Sequence, residues 1–365
     1  MPRPSLTRSD VLVRCLLGLP LLLCTARPVE AIDQVFRKSV KTPARGEVTA
    51  VSRTAVTVKQ PDGKPLAVPA NDIVYIRWDT EPIKLAGARS ADRAGLYDRA
   101  LEGYATSQED PKGSGAFLKV EIQFLVARAR ANQAFVGAAK PQVALAALET
   151  FIKTGANNFR YFDAVALLGR VYLNTGEYAK AKTQFEQLAT APFADYKLSA
   201  SSALAQVLLA QDNVDGALSA FQAVIDSSRD AKGVNEVAQR HRAVLGKSTC
   251  LIRKQDKSSC ESALKDLDAV LAEVSEDNEA LLAESYLRRG DCLRLLNRPK
   301  ESVLAYLHVD LLFASQRAMH AEALFHLGSL WAAVGHPERA SAVREKLRSD
   351  YPQSSWTKRL GVAAR

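Results

Sequence analysis

Residues that carry chemistry are scarce in this chain. Five cysteines and five histidines are spread over 365 residues. Two of the cysteines, Cys15 and Cys24, fall in the first 31 positions, leaving Cys250, Cys260 and Cys292. Three separated cysteines do not make a disulfide framework. Cys250 and Cys260 could meet across a helical hairpin or stay as buried thiols. The histidines are His241, His308, His320, His326 and His336, and there is no HExxH and no paired CxxC. His320 and His326 do not share a helix face, so no metal ligands are expected. No GxGxxG or GxxxxGK[ST] loop cradles a phosphate, so no cofactor is expected either. Ser262-Ala263-Leu264-Lys265 matches SxxK formally, with no partner motif beside it. The acidic stretch Glu273, Glu276, Asp277, Glu279, Glu284 lacks the dense oxygen ligands of a calcium loop and reads as a connection leading into a helix. No catalytic residue emerges, and the chain is not expected to be an enzyme.

Long hydrophobic runs are lacking too. The apolar stretch from Cys15 to Cys24 is short of the roughly 20 residues that span a bilayer. Arg3, Arg8 and Arg14 precede it, and Val29-Glu30-Ala31 comes after it. A basic start, a short apolar core and compact residues before a cleavage point predict a secretory signal over residues 1–31, cut after Ala31. The mature protein is then exported, periplasmic or secreted. Membrane attachment is expected only through a lipid on Cys24, and Leu23 departs from the small residue that lipid signals carry there.

Charge of one sign is in moderate excess, at +9. Arg37, Lys38, Lys41, Arg45 and Arg53 contribute, yet acidic residues interleave through the rest and no basic cluster is threaded with aromatics. A nucleic-acid partner is therefore not expected.

What is present falls into two textures. Gly46 to Val51 and Thr54 to Lys59 alternate apolar and polar residues, Pro61-Asp62-Gly63-Lys64 is a turn signal, and Leu66 to Val68 and Ile73 to Trp78 complete the set. Period-two alternation bounded by turn residues predicts about four short strands, a small SH3-like or Sm-like β-module over residues 32–82. Its core is thin, so it should lean on the helices after it. Trp78 and Tyr75 would either seal that junction or form a binding surface, and a module of this kind could bind a cell-wall or nucleic-acid polymer.

From Ile83 to Trp356 the pattern is helical and repeats. The clearest segment runs from Leu167-Leu168-Gly169 through Tyr172, Gly176, Tyr178, Ala181 and Phe185 to Leu188. The same order recurs with drift at Ala205, Leu208, Ala217, Phe221, Val224; at Gly246 and Ala263, with a polar stretch from Lys254 to Ser259 between helices; at Gly290, Leu293, Asn297, Ser302, Tyr306; and at Gly328, Trp331, Gly335, Ala340, Leu347 before Tyr351-Pro352. Weaker units lie at Gly95–Tyr104 and Pro141–Phe151. Gly169 is expected where two helices cross closely against Ala181, and Gly176 where a helix ends.

These motifs resemble the tetratricopeptide repeat. The resemblance implies a mostly α fold: a right-handed α-solenoid of six or seven helical hairpins over residues 83–356, with residues 357–365 as a tail. The spacing from Ser302 to Ala340 exceeds the family period of about 34 residues, so some connections should be longer. The resemblance further implies protein or peptide partners held on the concave face, through the first helix of each hairpin. Groove positions would be Asp163, Ala166, Arg170, Leu173 and Asn174, then Ser202, Gln206 and Leu209, and later Leu287, Asp291 and Arg294. Arg170 would hold a carboxylate by bidentate hydrogen bonds or simply stand on a solvated face. The function implied is a non-catalytic exported scaffold in a cell-envelope assembly, or an accessory subunit of an envelope enzyme complex.

Overall fold

The computed structural model describes residues 32–363, so the expected signal at 1–31 lies outside the described residues. Five strands come first: β1 Asp33–Arg37, β2 Ala44–Val51, β3 Ala55–Lys59, β4 Pro65–Pro69 and β5 Ile73–Arg77, with a 3-10 turn at Ala70–Asp72. They form one antiparallel sheet in the order β4-β3-β2-β1-β5. The pleat turns Ala44 and Val48 of β2, and Val56 and Val58 of β3, to the inside. Sequence alternation starts this sheet at Gly46 and misses β1, which lies between β2 and β5. That strand has a single fully buried residue, Val35, too little for a legible pattern. Its place is held by Asp33, which accepts hydrogen bonds from the Val48 and Asp79 amides, and by Phe36 stacked 4.3 Å from Tyr75.

Seven helical hairpins come next in the chain. They are α1 Ile83–Arg93 with α2 Tyr97–Glu109, α3 Ala116–Phe135 with α4 Pro141–Thr154, and α5 Tyr161–Asn174 with α6 Tyr178–Ala189. Then come α7 Ala194–Ala210 with α8 Val214–Ser227 and α9 Val234–Lys254 with α10 Lys257–Glu273. The array ends with α11 Glu279–Leu295 and α12 Pro299–Leu312, then α13 Arg317–Ala333 and α14 Pro337–Asp350. Proline opens α4, α12 and α14, where its missing N–H has no intrahelical partner to lose. Each helix packs on the next, and the first helices of successive hairpins also touch, which makes a solenoid with an inner wall of α3, α5, α7, α9, α11 and α13.

The close crossings are built differently from the expectation. A Cβ on Gly169 would lie 2.5 Å from the ring of Phe185, so it is Phe185, rather than Ala181, that rests on the bare backbone. Gly290 receives Tyr306 in the same way, and Gly246 receives Phe221. The polar loop expected at Lys254 to Ser259 is also absent. Gln255, at φ 58°, and Asp256, whose carboxylate accepts from the Ser259 amide, turn the chain in two residues. The extra length goes into the helices, 21 residues in α9 and 17 in α10. At the far end the expected tail is instead a further helix, α15 Ser355–Ala363. Its Leu360 is buried with Leu324 and Leu347, and Trp356 packs 5.1 Å from Phe325, covering the last hairpin.

The sheet has no core of its own. Val35, Val56, Val58, Ile73 and Ile76 belong to one apolar cluster with Leu85, Leu118 and Phe151 of the helices. Trp78 is buried beside Phe117, so it seals the junction. Arg53 donates to the Ala156 carbonyl and lies 3.8 Å over the Tyr161 ring. Asn71 donates to Asp195 of α7. Arg160, 5% exposed, donates to the Val74 carbonyl of β5, to Glu121 of α3 and to Asp163 of α5. Burial opposes the charge on Arg160, but Glu121 and Asp163 outweigh it and raise its pKa.

Removing one partner of a buried ion pair leaves the other charge stranded. Arg160→Met should therefore lower unfolding free energy by about 3–5 kcal/mol in denaturant titration. The double variant Arg160→Met/Glu121→Leu should recover most of that loss. Equal losses in the single and double variants would show that the pair is not what holds this junction.

Candidate functional site

The inner wall presents side chains of two kinds. One set is closed on itself. Arg288 of α11 donates to Asp291 at 2.5 Å and to Glu322 of α13 at 3.0 Å. The Tyr306 hydroxyl donates to the other oxygen of Asp291, and the His326 ring stacks on Tyr306 at 5.1 Å. Burial pushes the Glu322 carboxyl up, with Arg288 opposing. Burial also lowers the His326 imidazole to about 4, helped by Arg294, Arg288 and Arg359 against the pull of Asp291.

Asp291, Glu322 and His326 bring ligating atoms within 4.8 Å of one another. Sequence spacing did not reveal this, because the three come from two helices in adjacent hairpins. The Arg288 guanidinium already holds both carboxylates, and a cation would have to displace it. The chemistry of the set is that of a buried ion pair.

The second set is open. Arg170 of α5 and Arg242 of α9 are exposed, and neither has a hydrogen bond or ion pair among the described residues. Arg170 lies 5.0 Å above the Phe135 ring of α3. Both guanidinium pKa values are lowered, first by the protein packed around them, which marks side chains in a recess rather than on a convex face. Arg242 adds to the lowering at Arg170, and Glu284 of α11 opposes it at both. Two cations and one half-buried carboxylate thus share the recess without contact pairing.

Of the groove residues expected from sequence, Arg170, Asn174, Gln206 and Arg294 are open to solvent. Asp163 is engaged instead by Arg160 and the Tyr196 hydroxyl, and Asp291 is buried in the Arg288 network. Leu287 is fully buried, and Ser202 is buried with its hydroxyl unpartnered. Arg242 was missed. It falls outside the positions transferred from the clearest repeat, none of which was placed on α9. The stripe Asn235, Gln239, Arg242 at helical spacing was the available signal.

A family model described as "Tetratricopeptide repeat" matches residues 130–196 and 166–232. Residues 130–232 are tetratricopeptide repeats. No curated protein matches it. Among solved structures it is similar to a tetratricopeptide repeat protein from Parabacteroides merdae, at 16% identity and TM-score 0.43, covering 73% of this chain and 91% of that one. It is also similar to a Rap protein complexed with Competence and Sporulation Factor, at 16% identity and TM-score 0.48, covering 75% and 76%. A third is the quorum sensor NprR from B. thuringiensis, at 12% identity and TM-score 0.42, covering 75% and 77%. The matched repeats span α4 to α8 and the end of α3, so they include Arg170 but not Arg242.

His326 gives the inner wall a pH dependence. A histidine lowered to about 4 in the folded state takes up its proton near pH 6.5 when unfolded. Above that range it contributes nothing, and as pH falls from 6.5 to 4 it lowers stability by up to about 3 kcal/mol. Comparing wild type with His326→Gln by denaturation at pH 7.5 and pH 4.5 checks this: the variant should lose less stability on acidification. Parallel losses would rule the effect out.

Proposed function

We propose that this tetratricopeptide repeat protein is a non-catalytic adaptor that holds an acidic segment of a partner protein in its concave groove. The observation that carries the reading is the pair Arg170 and Arg242, two guanidinium groups in one recess with no counter-charge in contact. Folding placed them at a cost, since neighbouring protein disfavours the charged state of both and Arg242 adds like charge at Arg170. A ligand carboxylate offsets that cost and accepts two hydrogen bonds from each planar fork. Phe135 under Arg170 fixes one fork, and Glu284 sets a limit on how many acidic groups the recess accepts. Asn174 and Gln206, open to solvent on α5 and α7, add donors and acceptors for a backbone.

The basic start, short apolar run and compact cleavage residues of positions 1–31 support a place for this adaptor outside the cytoplasm, in an envelope assembly. The intact mass of the chain recovered from an exporting host tests that: a chain starting at Ile32, or at a lipidated Cys24, fits, and one starting at Met1 does not.

For the groove, the probe is a fluorescein-labelled ten-residue glutamate peptide followed by anisotropy at low salt. Arg170→Ala and Arg242→Ala should each weaken binding about tenfold or more, as expected for losing a hydrogen-bonded charge. Arg170→Lys should recover part of it, because a point charge lacks the fork. Unchanged binding in the double alanine variant would refute the reading.

A further inference from the structure

The array of hairpins comes back on itself. The corner between α1 and α2 lies against the start of α13, and the corner between α3 and α4 lies against the turn between α14 and α15. At the first contact, a Cβ on Gly95 would sit 2.5 Å from the Arg317 side chain and 3.1 Å from the Ser315 carbonyl oxygen. At the second, a Cβ on Gly137 would sit 2.8 Å from the Gln353 carbonyl oxygen and 3.7 Å from the Ser354 Cα. Both glycines are left-handed, at φ 73° and 74°, in the position that ends a helix. Two helix-ending glycines, one per hairpin, let the last repeat come into backbone contact with the first two.

This seam is made unlike every joint between neighbouring hairpins. Those joints bury shared apolar side chains. Here the apolar cluster of α1 to α7 stops on one side, and the cluster of Ala321, Leu324, Leu347, Tyr351 and Leu360 stops on the other. Among the described residues, no hydrogen bond or ion pair crosses. Arg317 turns back to its own side, donating to the Asp350 carbonyl and stacking 4.6 Å from the Tyr351 ring. Between the two faces is a cavity of about 330 Å³, lined by Leu96, Tyr97, Val136, Arg317, Tyr351 and Pro352 among others. An interface with a cavity at its centre and no polar bond across it forfeits the contacts that close packing supplies.

We infer that the first two and the last hairpins form a separable clasp, and that the closed array opens at this seam before any hairpin parts from its neighbour. The joints on either side hold, because opening them exposes continuous apolar core. Opening the clasp would give a lateral way to the inner wall that carries Arg170 and Arg242. The seam is therefore a gate for whatever the inner wall holds.

Glycine variants of the full chain separate the clasp from general destabilisation. Gly137→Ala introduces both the strain of a positive φ and the overlap with Gln353. Gly176→Ala introduces the same strain at φ 79° with nothing within 4 Å of the new Cβ. A second route is Arg317→Glu, which sets a carboxylate opposite Asp98 across the cavity, with Asp350 on its own side, and no change of backbone. In small-angle scattering, Gly137→Ala and Arg317→Glu should enlarge the radius of gyration, and Gly176→Ala should leave it at the wild-type value. In hydrogen exchange, amides at 94–99 and 350–354 should speed up about tenfold or more in those two variants, while those of α7 to α10 stay protected. If Gly137→Ala behaves like Gly176→Ala, or if Arg317→Glu keeps the wild-type radius and exchange, the clasp is overturned.

Discussion

The buried guanidinium of Arg160 is the contact on which the placement of everything else turns. It sits where α3, α5 and β5 meet, and it has a partner on each: Glu121, Asp163 and the Val74 carbonyl. Glu121 is fully buried and Arg160 nearly so, so neither charge has water to fall back on. Such a pair adds little net stability over an apolar substitute, but it tolerates very little displacement, because a shifted partner leaves a bare charge in the core. The register between the sheet and the second and third hairpins is set there. Trp78 against Phe117 and Arg53 over Tyr161 then fill the space on either side.

A repeat array needs its ends covered, since each hairpin buries only the faces that a neighbour takes up. Two different devices do this here. At the start, the sheet lends its one apolar side to the core of the first hairpins, so neither part has a complete interior without the other. At the finish, α15 lays Trp356 and Leu360 over the last hairpin. The surfaces left after that capping are glycine corners flanked by Leu96, Val136, Tyr351 and Pro352, which face one another across a cavity without merging. The contrast between merged cores within the array and mere contact across its ends is what makes the ends separable.

The inner wall shows how the same residue types serve two purposes. Arg288 has Asp291 and Glu322 within hydrogen-bond reach, and the set locks α11 to α13. Arg170 and Arg242 lack such partners, and the protein around them works against their charge. A paired buried charge is explained by the fold that holds it. An unpaired one in a recess is explained by something that arrives later. The proposed preference of the groove for acid rests on that difference rather than on the basic balance of the whole chain.

Much of the architecture was legible from residue order. The spacing of Gly169, Tyr172, Ala181 and Phe185 marked a helical hairpin, and its recurrence marked the array, because a close helix crossing admits few residues and forces them to fixed separations. Strand alternation located β2 to β5 for the same local reason. Local rules failed where the deciding contact was distant. β1 has one buried side chain and is a strand because β2 and β5 lie on either side of it. Asp163 and Asp291 occupy positions that face a groove in the repeat pattern, but Arg160 and Arg288 reach them first. Arg242 acts on Arg170 from a helix two hairpins along the chain, which local spacing does not show. The meeting of Gly137 with Gln353 depends on small rotations accumulated over six hairpins, each set by side-chain packing. Sequence by itself determined the repeating unit, since that is written in neighbours a few residues apart. Which charges are paired, which are left open and where the array closes were decided by tertiary structure, because those depend on atoms that the chain brings together only once it is folded.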